Sequence, residues 1–535
     1  MLISKKNTMK RFIKLTLASL ALMAFSCTDL EDELEDSLTE EFNVEGVSTG
    51  SGSAGGPLLS SFARLRNGSA TSGGFFVQSE VTSDEMAVPQ KGGDWFDGGI
   101  WINWHRHNWD ATITGGAWND AYGGIGECNI ALDGGELDAN QTAQIRALRA
   151  YFYYRLLDLF GRVKIVTAPG SDAPQSERIE VFNFVESEIL AALGIPAVTA
   201  SLDLSGSALN TDISPYRINQ YAALGILAKL YLNAEVYTGT ARYQEADWAA
   251  TYILDNSPYQ LCAEGCTAPN RAKRPEVESD PTTLEGYAAV FAPDNANNPE
   301  IIWSIEYAAV GAGGMNFQHM TLHGPSQLTY ALDNAPWNGF ITLEEFYNSY
   351  EDGDLRKQAN FLVGPQTDFS GAPLIDFAAD DDDLQVNYTP QVNELEPNAL
   401  RQAGARLKKF SFSVLGRNDM DNDYPVVRLG DVHLMRAEAR ARAASDWSLA
   451  LPDVNALRDR AGVGPLASID ADSFLAERGR EMFQESSRRN DLIRFGKFQD
   501  PWWEKTNSEA FRNLMPIPLD QINASDGTLT QNPGY

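Results

Sequence analysis

Residues 146–161 read Arg146-Ala147-Leu148-Arg149-Ala150-Tyr151-Phe152-Tyr153-Tyr154-Arg155-Leu156-Leu157-Asp158-Leu159-Phe160-Gly161. Ile145, Leu148, Phe152, Leu156 and Leu159 recur at three- and four-residue spacing, which predicts a helix over Thr142 to Phe160, with Gly161 placed to end it. A face this rich in large rings has to pack on something large. Outward from it, Pro215 to Val236 and Tyr243 to Leu254 read as a second helix pair. Pro215 fits a first turn, Gly239 lies in the turn between them, and Ala222, Ala223, Gly225 and Ala228 permit close helix contact. Further helices are expected at Leu429 to Ala443, Leu449 to Arg460 and Phe474 to Phe495, while 257–425 reads as loops and short strands. The fold class is mainly α. The paired helices resemble tetratricopeptide-type hairpins, but that repeat's signature is absent, so an irregular helical scaffold is expected.

The chain has 535 residues, with 73 acidic against 42 basic side chains and a net charge of −31, which excludes an ordinary nucleic-acid binder. Four cysteines, Cys27, Cys128, Cys262 and Cys266, are too few for a disulfide scaffold or a cysteine-rich zinc module. Lys5, Lys6, Lys10, Arg11 and Lys14 precede an apolar run from Leu15 to Phe25, too short to span a bilayer comfortably and arranged like an export signal. Ala24-Phe25-Ser26-Cys27 resembles a bacterial lipoprotein cleavage box, so Cys27 is the expected lipidation site. Eight acidic residues and no basic one lie between positions 29 and 41, followed by a Gly/Ser-rich stretch. The expected organisation is a signal peptide at 1–26, a tether at 27–56 and one folded domain at 57–535.

Several segments then carry a specific resemblance. Arg146 to Tyr154 leads to Leu159-Phe160-Gly161, and Tyr221-Ala222-Ala223-Leu224 to Ala228-Lys229-Leu230-Tyr231-Leu232. Pro425-Val426-Val427-Arg428-Leu429-Gly430-Asp431-Val432 runs into Leu434-Met435-Arg436-Ala437-Glu438-Ala439. After these come Val454 to Gly462, Glu477-Arg478-Gly479-Arg480-Glu481-Met482-Phe483, Arg488 to Gly496 and Gln531-Asn532-Pro533-Gly534-Tyr535. In this order, covering almost the whole chain after Cys27, they resemble the SusD/RagB family of Bacteroidetes outer-membrane nutrient-binding lipoproteins. The resemblance implies a mainly α-helical SusD-like body with tetratricopeptide-like helix pairs and a loop-rich ligand-binding face. It implies a lipid-anchored protein on the outer membrane, facing outward, that captures oligosaccharides, or peptides in some members, for a SusC-like TonB-dependent transporter. The acidic stretch after Cys27 resembles the patch that directs such lipoproteins outward. The family commonly has Arg-Trp-x-Asp-Leu where this chain has Arg489-Asn490-Asp491-Leu492. Arg478, Glu481, Arg489 and Asp491 are expected in partly buried ion-pair networks that fix helices rather than in catalysis.

Candidate ligand contacts follow from the chemistry of sugars, whose apolar C–H faces stack on flat rings while their hydroxyls take hydrogen bonds. Trp95, Trp101, Trp104, Trp109 and Trp118 place five of eleven tryptophans within 24 residues, among glycines that argue against a helix, although Trp101 and Trp104 have helical spacing. Trp95 and Trp101 are the best platform candidates, with Trp104 and Trp109 beside them and Asn103 and His105 as polar partners. The resemblance points to a second site at mid-chain, around His319, His323, Tyr330 and Trp337. Pro336-Trp337-Asn338-Gly339 reads as an exposed turn, and Trp303, in an Ile-rich strand-like run, as core.

His319 and His323 lack the adjacent glutamate of a zinc-protease motif, so no metal is expected there. Asp380 to Asp383 reads as a solvated loop, with calcium the one cofactor its oxygens admit, since the run lacks the spacing of an EF-hand. Cys262 and Cys266 are spaced to close a small loop disulfide in an exported protein, and Cys128 reads as buried. No pair of carboxylates stands out as glycosidase machinery, so the expectation is a binding protein and not an enzyme. A peptide receptor is the alternative, and a glycoside hydrolase the more remote one.

Overall fold

The computed structural model of the chain describes residues 56–377 and 384–535. Cys27, the segment around it and the Asp380 to Asp383 run lie outside the described residues. The quoted stretch forms the central helix of a mainly helical body. Its helices are α1 (Gly115–Asp133), α2 (Ala139–Leu159), α3 (Arg178–Leu193), α4 (Gln220–Leu232), α5 (Tyr243–Asn256), α6 (Leu429–Ala444), α7 (Leu451–Arg460), α8 (Ala471–Met482) and α9 (Arg488–Arg494). α1 and α3 pack on α2, α4 on α5, and α5 on α6, which also carries α7 and α8. Between α5 and α6 the chain runs through short helices and two-stranded sheets. These include the hairpin β1 (Thr267–Pro269) with β2 (Thr283–Glu285), and β3 (Ile301–Ile305) paired antiparallel with β4 (Tyr424–Arg428).

Helix α2 starts at a reciprocal cap. The Gln141 backbone N–H donates to the Asp138 carboxylate at 2.8 Å and the Asp138 N–H to the Gln141 side chain at 3.1 Å. It ends at Phe160, where Gly161 takes φ +71° as expected. Every residue from Ala147 to Leu159 is buried, polar ones included, because α2 is covered on all sides. Helix α1 was not expected, since its five glycines argue against a helix. One of them explains the exception: a Cβ on Gly124 would sit 2.2 Å from the Phe152 ring, so the glycine lets α2 press its aromatic face against α1. Cys128, on α1, is fully buried. Helix α3 was also missed, its aromatic and acidic residues being interleaved too evenly to mark a stripe.

Two expected helices are corrected. α4 begins at Gln220 rather than Pro215, because the Asn219 side chain accepts from the Ala222 N–H at 2.9 Å and caps it, while Pro215 lends its carbonyl to Ser304. Its Gly225 admits a strand and not a helix, for a Cβ there would meet the Val427 side chain of β4 at 2.5 Å. The span 474–495 is two helices. Gln484 and Ser486 take φ of +63° and +57°, and the break is filled by cations: Lys409 donates to the carbonyls of Glu481 (3.0 Å) and Phe483 (2.7 Å), and Arg428 to that of Glu481 (3.0 Å). Those carbonyls end α8, where positive charge is favoured.

The same cations anchor a charge network inside the body. Arg428 reaches Glu300 and Glu481 at 2.8 Å and Glu485 at 2.7 Å; Arg460 reaches Glu300 at 2.6 Å and also Glu481. Arg478 bridges Asp431 (2.9 Å) and Asp491 (2.8 Å), and Arg494 holds Glu438 (2.7 Å) and Asp491 (2.6 Å). Arg489 reaches Asp158 of α2 at 3.2 Å. These side chains are almost wholly removed from water, so each charge depends on its partners.

Candidate functional site

The strands Met86–Ala87 and Ile341–Thr342 pair antiparallel, Met86 opposite Thr342 and Ala87 opposite Ile341. That pairing lays the loop after Ala87 beside the turn before Ile341, and so brings together the two tryptophan-bearing stretches that are far apart in sequence. The Trp95 N–H donates to the Trp337 carbonyl at 3.1 Å, and the two indoles meet edge to face with centroids 5.9 Å apart. Trp95 also stands against Trp101 (4.8 Å) and Phe340 (5.4 Å, 85° between planes). Its ring lies over Gly339, where a Cβ would come within 2.0 Å of it. The Trp95 indole N–H donates to the Asp97 carboxylate at 2.6 Å. Trp95, Phe96 and Trp337 stay half-buried, and Asp97, Asp333, Asn334 and Ala335 beside them in sequence are exposed.

Behind the rings, buried polar groups hold the two loops in register. Lys91, 1% exposed, donates to the carbonyls of Asn338 (3.0 Å) and Gly339 (3.1 Å). Burial, helped by nearby Arg406 and opposed by Asp94, holds its pKa well below the ordinary lysine value. Asn338, at φ +58°, donates from its amide to Asp94 (2.8 Å) and to the Arg401 carbonyl (3.0 Å). It also faces the Nδ1 of His323 at 3.2 Å; with Nδ1 an acceptor, Nε2 carries the proton and donates to Asp376 at 2.8 Å. Burial, then the Arg406 charge, pushes the His323 pKa down to about 3, so the ring is neutral. Backbone bonds from Trp337 to the His319 carbonyl (2.7 Å) and from Gly339 to that of Met320 (2.8 Å) fix the turn onto the short helix Phe317–Thr321.

The other expected contacts are placed differently. Trp101 is 4% exposed and underlies Trp95. Trp104, turned inward by the short helix Ile100–His105, and Trp109, in the loop after it, are core residues with rings 5.7 Å apart, and the Trp109 indole N–H donates to the Tyr535 hydroxyl at 2.9 Å. His105 is fully buried against the Trp503 carbonyl (2.7 Å), its pKa pushed down to about 4 by burial. His319, also buried, packs 6.1 Å from the Trp337 ring and supports it from within. His323 belongs to the network behind the turn. Tyr330, 8% exposed, packs on Phe412 at 5.5 Å. As packed here, none of these seven offers a free face beside Trp95 and Trp337; Tyr330 lines a separate cavity. Asn103 is exposed. The turn 336–339 is itself tightly packed, Pro336, Asn338 and Gly339 being buried and only Trp337 partly open, since four backbone bonds tie it down. Trp303 is buried, as expected.

Phe340, Lys91, Asp94 and the Asn338 amide were not anticipated. The Asn-Gly pair at 338–339 marked the turn, but not the buried hydrogen bonds that the Asn338 amide makes behind the rings. Cys262 and Cys266 are joined by a disulfide. Among the described residues no three His, Cys, Asp or Glu side chains are grouped to hold a metal ion, and no helix is long and apolar enough to cross a membrane.

Comparison with known proteins adds to this geometry. The sequence profile described as the SusD family matches residues 299–535, and one described as starch-binding associating with outer membrane matches residues 75–232. The starch-binding protein SusD of Bacteroides thetaiotaomicron is 25% identical over 447 residues, covering 74% of this chain and 73% of its own. Among solved structures, surface glycan-binding protein A from Bacteroides uniformis superposes with a TM-score of 0.67 at 20% identity, over 89% of this chain and 98% of that one. The protein of that name from Bacteroides thetaiotaomicron, in complex with laminarihexaose, gives 0.65 at 19% identity over the same shares.

Proposed function

The chain belongs to the SusD/RagB family, whose members are non-catalytic binding proteins, and we propose that it captures glycans at the Trp95–Trp337 pair. The juxtaposition of these half-buried indoles carries the reading. An edge-to-face pair offers two differently tilted apolar surfaces, which suits a bent run of sugar rings better than one flat ring; Asp97 and Asn334 beside the rings in sequence, and Asn103 on the short helix that follows Trp95, are exposed polar groups for hydroxyls. The similarity to a starch-binding protein and the fold shared with glycan-binding proteins support a saccharide as the ligand class. We read Cys27 as the lipid anchor, 27–56 as the tether, 57–535 as one domain with tetratricopeptide-like helix pairs, and the assembly as delivering oligosaccharides to a SusC-like transporter at the outer membrane. A tethered binding face raises ligand concentration at such a transporter without new contacts.

The test is affinity electrophoresis against a panel of neutral polysaccharides. Trp95→Ala or Trp337→Ala should weaken retention by roughly thirty-fold, about 2 kcal/mol for a central aromatic anchor. Unchanged retention in both variants, with the wild type retained, would remove the tryptophan pair from the reading.

A further inference from the structure

Away from the tryptophan pair, two cavities of about 750 and 340 Å³ adjoin one another. Pro281, Leu284, Lys408 and Ser411 line both, so the two form the lobes of one groove. Its walls are the β1–β2 hairpin, anchored near its base by the Cys262–Cys266 disulfide, and the short helix Leu355–Asn360 with the residues after it. The Lys408 N–H, bonded to the Asn360 carbonyl at 2.7 Å, sets that lysine between the lobes. Lobes of this size match those that hold small polar ligands.

The charges along the groove are arranged unevenly. Every other cation lining it is spoken for: Lys409 by Glu485, Arg460 by Glu300 at 2.6 Å, and Arg274 by Asp280 at 2.8 Å. Lys408 makes no ion pair among the described residues. Burial alone lowers its pKa, with no carboxylate to raise it again, and the side chain stays partly accessible. The smaller lobe, lined by Lys408 and the Arg274–Asp280 pair, therefore carries one net positive charge. The larger lobe carries the carboxylates of Glu264, Glu285 and Asp459. In a chain of net charge −31, a half-buried lysine left without a carboxylate is a cost that an incoming anion would relieve.

We propose that this groove is a second binding site, for an oligosaccharide ending in a uronic acid, whose carboxylate pairs with Lys408 in the smaller lobe while its neutral sugars donate hydroxyl hydrogens to Glu264, Glu285 and Asp459. The same three carboxylates repel a ligand charged on every ring, so a single terminal acid is selected over a polyanion. The choice of a sugar rests on the glycan reading above; the pairing of a carboxylate with Lys408 does not.

Isothermal titration of the whole protein with a glucuronate-terminated disaccharide and with its neutral glucose counterpart tests it. The acid form should bind at least tenfold more tightly. Lys408→Met, which keeps the alkyl stem, should abolish that preference without lowering the melting temperature, Lys408→Arg should retain most of it, and Trp337→Ala should leave it intact. Equal binding of the acid and neutral sugars, or a preference that survives Lys408→Met, would overturn the proposal. If neutral glycans still depend on Trp95 and Trp337 in that case, the second site alone falls. If the Lys408-dependent preference holds while the tryptophan variants lose nothing, the tryptophan platform falls and the second site stands.

Discussion

The charge network between β4, α6, α7 and α8 and the ring cluster at Trp95 and Trp337 reverse the usual placement of residue types. In the first, Arg428, Glu481, Glu300 and Arg460 are buried almost completely. In the second, two tryptophans are left partly in water. Each inversion is held by its neighbours. The charges remain ionised because each meets an opposite charge, Arg428 also donating to a free carbonyl at the end of α8, and the rings remain at the surface because Lys91 and Asn338 fasten their loops from behind. Residue type alone therefore says little about role in this molecule, and partnership says more.

The largest expected effect comes from breaking the network. Glu481→Ala strands Arg428, Arg460 and Arg356 with one acid fewer among them, and should cost about 3–5 kcal/mol, the range for removing one partner of a buried pair. Urea unfolding measures it. A loss under about 1 kcal/mol would mean that the network is wet or redundant, and the contrast between the two regions would weaken.

Acid is a second probe of the same region. Burial opposes the charge on Glu438, but Arg494 and Arg442 outweigh it and hold its pKa at about 2, against an ordinary value of 4.5. A depressed carboxyl stabilises the fold above its unfolded pKa and stops doing so as pH falls through the folded one. The urea midpoint should therefore fall between pH 4.5 and 2, and fall less in Glu438→Gln, whose amide does not titrate. Equal slopes in the two proteins would remove Glu438 from the account.

The helical body was legible where one signal dominated. The repeat of Ile145, Leu148, Phe152, Leu156 and Leu159 located α2, and the expectation that Arg478, Glu481, Arg489 and Asp491 form partly buried ion-pair networks matches their observed partners, though their burial is more complete than expected. Legibility failed where a long-range contact overrides a local rule. Gly124 breaks helix statistics because Phe152 needs its space, and α8 stops at Met482 because Lys409 and Arg428, remote in sequence, take its carbonyls. At the candidate site the residue types were visible and their burial was not. Trp95 and Trp104 look alike in sequence, and only the pairing of Met86–Ala87 with Ile341–Thr342 places one beside Trp337 while the short helix Ile100–His105 turns the other inward.

The smallest expected loss of stability, and the most direct probe of the ring cluster, comes from Gly339→Ala. The new methyl would lie 2.0 Å from the Trp95 ring and 2.9 Å from the Met320 carbonyl, so the ring has to move. Overpacking of this kind costs about 1–3 kcal/mol, less than the Glu481 variant, because a half-buried indole has solvent to move into and a buried guanidinium does not. Glycan retention should nonetheless fall nearly as far as in Trp95→Ala, since the displaced ring no longer faces Trp337. A double variant separates the two contacts. Once Trp95 is alanine the ring clash is gone and only the carbonyl contact remains, so adding Gly339→Ala should cost distinctly less stability than it does alone, and no further retention. Additive costs would mean that the methyl is resisted by the backbone of the turn and not by the ring, and the surface position of Trp95 would then owe nothing to Gly339.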